Sequence, residues 1–217
     1  MTGPEDRCRL MLIVPDLADI DAQRALLDAA LKGGDVASVI IPQYALDDAT
    51  FQKHAEALVP LIQEAGAAAL ISGDSRVAGR AKADGLHMAG TLEEMTKAVE
   101  KFAPKLIVGG GSATERHAAL EIGELKPDYI FFGKIGGDIK PEAHPKNLAL
   151  AEWWASMIEI PCVVMGGSDL SSVADVALNG AEFVALGSAV FAHPAGAAAA
   201  VSEINAILDE KAPRFDA

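Results

Sequence analysis

Eight short apolar runs alternate with amphipathic segments along this chain, and no other feature constrains its fold as strongly. Strands are predicted at Leu10–Val14, Val36–Ile41, Ala68–Ser72, Leu86–Met88, Leu106–Gly109, Tyr129–Phe132, Cys162–Met165 and Phe183–Leu186. Each run is continuously apolar rather than alternating, as expected of strands covered on both faces. In the second intervening segment Phe51, Ala55, Leu58, Val59 and Ile62 share one helical face. Gly or Pro marks the joints, and no linker interrupts the pattern, which favours a parallel sheet. Eight repeats of roughly 20 to 40 residues suit a closed (β/α)8 barrel. An open doubly wound sheet would carry a glycine fingerprint after its first strand; here that strand ends in Val14-Pro15-Asp16. Residues 1–217 are therefore read as a single barrel domain, with 1–9 as a flexible N-terminal segment.

Composition narrows the function classes. Apolar residues form 51% of the 217, too large a share for a disordered chain. No run approaches the ~20 apolar residues of a membrane helix, and polar Met1–Arg9 carries no secretory signal. Cys8 and Cys162 fit no metal spacing, and Cys162 lies inside an apolar strand, where a packed free thiol is expected. A soluble, cytoplasmic protein follows. The 18 basic and 31 acidic residues give a formal charge of −13, which argues against nucleic acid or an anionic membrane as partner. An anionic small ligand would then depend on local positive potential.

Barrel chemistry sits at the C-terminal ends of the strands. After the seventh strand come Gly166 and Gly167; after the eighth come Gly187 and Ser188. Glycine lets the backbone approach an anion, and N–H groups that open a helix point at it. A phosphate-binding pair of turns is the expectation, with simple tight turns as the alternative. Asp169 can cap the following helix and would then make that pocket less cationic. His87 ends the fourth strand as a packed barrel residue or a pocket residue. Gly136 and Gly137 suggest a mobile loop after the sixth strand. Ser112 follows the fifth strand, and Glu115 three residues on makes it an equal candidate for the N-cap of a helix over Ala113–Leu125.

The order of these pieces resembles the thiamine phosphate synthase family and its thiazole tautomerase relatives. The resemblance runs from Leu10 to about Phe191 and is strongest in Ala83–Met88, Lys126–Gly133 and the two glycine turns. It implies a (β/α)8 barrel, a homo-oligomer, and a transferase of thiamine biosynthesis. That reaction joins a hydroxymethylpyrimidine diphosphate to a thiazole phosphate and releases diphosphate with Mg²⁺. Carried over by position, Gly166, Gly167, Gly187 and Ser188 would hold the thiazole phosphate. Ser112 and Lys140 would contact the diphosphate, with Lys134 as a separate cation serving a ligand phosphate, and Asp74 would substitute at the metal from the position next to the family's metal-binding Asp.

Several positions depart from the family pattern. Ile41-Pro42-Gln43-Tyr44-Ala45 lacks the cations after strand two, and Ser75 stands where a metal-binding Asp is expected. Gly90-Thr91-Leu92 replaces the second metal carboxylate, and Thr114 stands where the tautomerase branch has a histidine. Gly133–Pro141 lacks both threonines of the loop after strand six. Two other functions therefore stay open. One is a catalytically degenerate member that binds a phosphorylated thiazole or thiamine phosphate; the other is a different phosphate-substrate barrel isomerase or lyase.

Overall fold

The computed structural model describes residues 3–111 and 113–215. Eight parallel strands close into a barrel in sequence order, so the (β/α)8 expectation holds. They are β1 (Arg9–Ile13), β2 (Ser38–Pro42), β3 (Ala68–Ser72), β4 (Gly85–Met88), β5 (Ile107–Gly110), β6 (Tyr129–Phe132), β7 (Cys162–Met165) and β8 (Phe183–Leu186). Closure is made by β1 on β8, with Arg9 opposite Phe183 and Leu12 opposite Leu186. The helices between them are α1 (Ile20–Leu31), α2 (Asp48–Glu64), α3 (Ser75–Ala81), α4 (Leu92–Phe102), α5 (Arg116–Glu124), α6 (Pro145–Ala155) and α7 (Ser172–Leu178). After β8 the expected helix is divided into a four-residue α8 (Ser188–Phe191) and a long α9 (Ala197–Lys211).

Strand pleating sorts the apolar runs into two cores. Met11, Ile13, Ile40, Leu70, Phe131, Val163 and Met165 point into the barrel. Their neighbours Leu10, Leu12, Val39, Ile41, Ile71, Ile130 and Val164 point outward to the helices. The helical face expected of α2 meets this outer core, with Phe51, Ala55, Leu58, Val59 and Ile62 all buried. Both faces of the sheet are thus dry, which is why the strands read as unbroken apolar runs.

Three acidic residues tie neighbouring strands at the N-terminal end of the barrel. Asp84, ahead of β4, accepts the Ala69 N–H of β3 at 2.8 Å. Asp128, ahead of β6, accepts the Val108 N–H of β5 at 2.7 Å, and Glu182, ahead of β8, accepts the Cys162 N–H of β7 at 2.8 Å. Each satisfies a strand amide that has no ladder partner at the sheet margin. Part of the acid surplus is therefore structural.

Residues 1–9 carry the expectation of flexibility, and for Gly3–Arg9 the structure describes ties to the C-terminal segment. Arg7 is buried and donates to Asp209 at 2.8 Å and Asn205 at 3.1 Å. The Phe215 N–H reaches the Asp6 carbonyl at 2.7 Å. A buried guanidinium holds its position because leaving its donors unmatched costs more than ordering the chain.

His87 points inward and is buried, with Nδ1 2.8 Å from the Tyr129 hydroxyl and its ring edge-on to Phe131. Of its two sequence readings, the packed barrel histidine is the one the structure describes. Burial pushes its imidazole from the usual 6.5 down to about 4, so it is neutral at neutral pH.

Two expectations follow. Asp128→Ala leaves the buried Val108 N–H without an acceptor and should lower stability by about 1–3 kcal/mol, read from urea unfolding. For His87 the folded value lies below the unfolded one, so the unfolded chain takes up a proton first as pH falls. Its contribution is complete above pH 6.5 and is lost between 6.5 and about 4, by up to roughly 3 kcal/mol. His87→Gln should flatten that interval of the stability–pH curve relative to the wild type; unchanged curvature would mean that His87 takes up its proton alike in the folded and unfolded chain.

Candidate active site at the barrel mouth

The C-terminal strand ends converge on a mouth whose floor is Ile13, Met165 and the end of the inner core. On the β1 side the loop is held by a buried relay. Gln23 donates to the Pro15 carbonyl at 2.8 Å, and its amide oxygen meets Nδ1 of His54 at 2.7 Å. Because the Gln23 nitrogen is already donating, His54 Nδ1 must carry the proton in that contact.

After β2, Gln43 is used locally, donating to the Leu46 carbonyl at 3.2 Å and to Asp48 at 3.0 Å. Tyr44 adopts a left-handed φ of 47° and donates its hydroxyl to the Val14 carbonyl at 2.7 Å. Burial first, then the charges of Asp16 and Asp138, push its phenol up to about 12, which keeps the proton on the oxygen. The sequence marks Tyr44 only as part of a turn without cations; its contact with the Val14 carbonyl and its place in the mouth depend on the closed barrel.

After β3, Asp74 is the N-cap of α3, accepting the Arg76 N–H at 2.8 Å. Its other oxygen takes the Arg76 guanidinium, with Nε at 2.8 Å. These bonds hold its carboxyl below the ordinary range. After β5 the chain turns at Gly110, where φ is 118° and any Cβ would run into the Met88 carbonyl. Ser112 lies outside the described residues. The helix expected over Ala113–Leu125 begins at Arg116 instead, with Glu115 in the cap position and no side-chain cap bond. Thr114 and Ala113 remain in the loop that borders the mouth.

The loop after β6, residues 133–144, lies across the two glycine turns. Its Lys140 and Pro141 carbonyls accept the N–H groups of Ser168 at 2.8 Å and Asp169 at 3.2 Å. A side chain at Gly167 would overlap the Pro141 carbonyl, so glycine is required there by the loop's approach. The four residues expected to hold phosphate do converge, but the donors of Gly166, Gly167 and Ser188 are engaged. Gly166 N–H goes to the Ala185 carbonyl at 2.9 Å, and Gly167 N–H to the Ser172 hydroxyl at 3.0 Å. Asp138 from the overlying loop accepts both the N–H and the hydroxyl of Ser188, each at 2.6 Å. A carboxylate of the chain itself thus sits against the turn after β8. Asp138 escaped sequence reasoning; an acidic residue directly after Gly136-Gly137 was its only signal.

Two cavities open on the mouth. One, of about 330 Å³, lies between β1, β2 and β8 and is walled by Ile13, Leu17, Tyr44, Phe191 and Asp138, with Gly187 and Ser188 at its rim. The other, of about 340 Å³, lies between β5, β6 and β7 and is bordered by Thr114, Lys134, His144, Lys146, Asn147 and Gly166. Lys134 and Gly166 are therefore brought together. Lys140 is exposed, and neither it nor Asp74 borders either cavity. A larger cleft of about 620 Å³ runs between α7 and α9 on the outer side, with Asp169 and Glu203 among its walls. Ser188 borders this cleft as well as the β1–β2–β8 cavity.

This arrangement of a closed barrel with loops folded over the β7 and β8 turns has close relatives. The profile of the family described as thiamine monophosphate synthase matches residues 10–190. A thiamine-phosphate synthase of Hyphomonas neptunium is 34% identical over 215 residues, covering 96% of this chain and 97% of that protein. One from Rhodospirillum centenum is 34% identical over 205 residues, covering 93% of this chain and 98% of that one. Among solved structures, a thiamine phosphate pyrophosphorylase from Pyrococcus furiosus superposes with a TM-score of 0.78 at 22% identity, over 96% of this chain and 98% of that chain. The last of these is a likeness of fold; the first three extend through all eight strands and both glycine turns. The chain belongs to the thiamine monophosphate synthase family.

Proposed function

We propose that this chain is a transferase of the thiamine-phosphate synthase type, joining a hydroxymethylpyrimidine diphosphate to a thiazole phosphate with release of diphosphate. The observation that carries the reading is the extent of the match to named synthases, which runs nearly end to end in both partners. The bond-forming step places the thiazole ring nitrogen against the pyrimidine methylene carbon while the diphosphate oxygen departs. The chain's part is to bring the two rings together over the apolar floor of Ile13 and Met165 and to supply positive potential to the leaving group. Lys140, in the loop after β6, is the cation for the diphosphate, and Ser112, which follows β5 in sequence, a hydroxyl donor. On the same reading the protein is a cytoplasmic homo-oligomer.

Family members of this type imply Mg²⁺, and the residues present do not fit it. Mg²⁺ takes one or two carboxylates together with substrate phosphates. Asp74 has one oxygen on the Arg76 amide and the other on the Arg76 guanidinium. Among the described residues no three His, Cys, Asp or Glu side chains are grouped to hold a metal.

A second reading, binding of a phosphorylated thiazole or thiamine phosphate without turnover, is favoured by the same pair of observations. Asp74 is committed to Arg76, and the β2 turn that would grip diphosphate has only Gln43 and Tyr44, both already hydrogen-bonded within the protein.

Purified protein given both precursors, with and without Mg²⁺, should release diphosphate in a coupled assay. No release, together with saturable binding of thiazole phosphate, would select the second reading. Asp74→Ala should lower stability by about 1 kcal/mol through loss of the α3 cap. It should leave kcat within about twofold and the metal dependence unchanged, since about 0.4 kcal/mol separates a twofold change. A collapse of kcat in a folded variant would instead make Asp74 a metal ligand.

A further inference from the structure

Bulky inward residues fill a barrel of this kind layer by layer, and at the N-terminal end, opposite the mouth, one layer is incomplete. Ser38 of β2 and Ala68 of β3 each lie two residues before an inner-core residue, Ile40 and Leu70, so the pleat directs them inward. The ladder pairs these two small residues side by side. With Met11, Leu70, Ile107, Tyr129 and Phe183 they wall a cavity of about 260 Å³. Met11 borders this cavity and Ile13, two residues on, borders the mouth, so the two spaces lie at opposite ends of one interior.

Most polar groups around the cavity are accounted for within the fold. Arg9 is held by Asp35 through Nε at 2.9 Å and Nη2 at 2.6 Å, which neutralises its charge. The Tyr129 hydroxyl is engaged with His87 at 2.8 Å. Asp128 is exposed and gives one oxygen to the Val108 N–H. Ser38 differs: it is buried, and among the described residues its hydroxyl has no hydrogen-bond partner.

We infer that this cavity is a binding site for a small neutral aromatic molecule, a single ring whose one hydrogen-bonding substituent pairs with Ser38. An apolar cavity of about 150 Å³ takes benzene, so the space here suits one substituted ring. Tyr129 and Phe183 offer aromatic walls to it. A buried hydroxyl without a partner carries a desolvation cost that a ligand's donor or acceptor removes. Charge is disfavoured on both counts: the guanidinium of Arg9 is already matched by Asp35, and Asp128 repels a carboxylate or phosphate. The residues that form the site take no part in the proposed transfer.

Phenol, toluene and benzoate are the probes, titrated against the full chain while heteronuclear NMR follows the backbone amides. Phenol should bind with a Kd on the order of 1 mM or tighter, moving the amides of Ser38, Ala68 and Phe183 rather than those of Gly166 and Gly187. Benzoate should bind about tenfold weaker than phenol. Ser38→Ala keeps the space and removes the hydroxyl; it should weaken phenol about threefold or more and leave toluene within about twofold. Ala68→Phe sets a ring in the cavity and should weaken both about tenfold or more. Thermal unfolding checks that each variant folds, and Ser38→Ala, the milder change, carries the test should Ala68→Phe not fold. No binding of phenol to the wild type at about 10 mM overturns the inference, as do shifts confined to the mouth. So does a Ser38→Ala variant that binds phenol like the wild type. Benzoate bound more tightly than phenol would make Arg9 an anion seat and overturn the neutral ligand.

Discussion

Everything at the mouth depends on the closure of β8 onto β1. That ladder, running from Arg9–Phe183 to Leu12–Leu186, turns an open sheet into a barrel with an inside and an outside. Once closed, each strand must place alternate residues in two separate dry cores, and no sheet edge is left to solvent. The carboxylates of Asp84, Asp128 and Glu182 complete the far end by taking strand amides that the ladder leaves over. With stability supplied by cores and closure, the loops at the opposite end are free to vary. That division explains how a chain can keep its family's barrel while replacing much of the polar equipment at the mouth.

The barrel was legible because its signal is local and repeated eight times. Strand positions were read to within two residues, and β3, β6, β7 and β8 to the residue. Misplaced ends have local causes as well. α5 starts at Arg116 rather than Ala113 because Gly110 and Gly111, both at positive φ, carry the chain away from β5 before a helix can begin. The split of the last helix into α8 and α9 follows from His193-Pro194 and Gly196, which cannot continue a helical ladder. Two of the strongest family fragments, Ala83–Met88 and Lys126–Gly133, each contain one of the strand-tying acids. Their likeness therefore reports fold as much as chemistry.

The site was less legible because its decisive contacts span distant parts of the chain. Asp138 and Ser188 are 50 residues apart in sequence, and nothing in either neighbourhood marks the pairing. The glycine turns were recognisable as turns, yet whether their amides are free is decided by which loop folds over them. Tyr44 on the Val14 carbonyl and Lys146 beside Lys134 are of the same kind. Asp74 shows the converse: the Asp-Ser-Arg sequence is compatible with metal binding, but a two-residue ion pair and a helix cap absorb both of its oxygens.

A formal charge of −13 makes the position of a few cations more consequential than their number. At physiological ionic strength the field of the surface acids decays over about 8 Å, so an approaching anion feels chiefly what lines the last few ångströms of its path. On the β8 side that lining is Asp138, backed by Asp16 near Tyr44. On the β6 side it is Lys134 and Lys146. The two cavities share the Met165 wall, so the charge of the mouth changes sign across one side chain. The loop after β6 holds Asp138 and Lys134 on the same twelve-residue segment, and its anchorage on Ser168 and Asp169 fixes their separation. Which charges face the mouth is in this way a property of one loop's attachment to the β7 turn, rather than of the barrel that supports it.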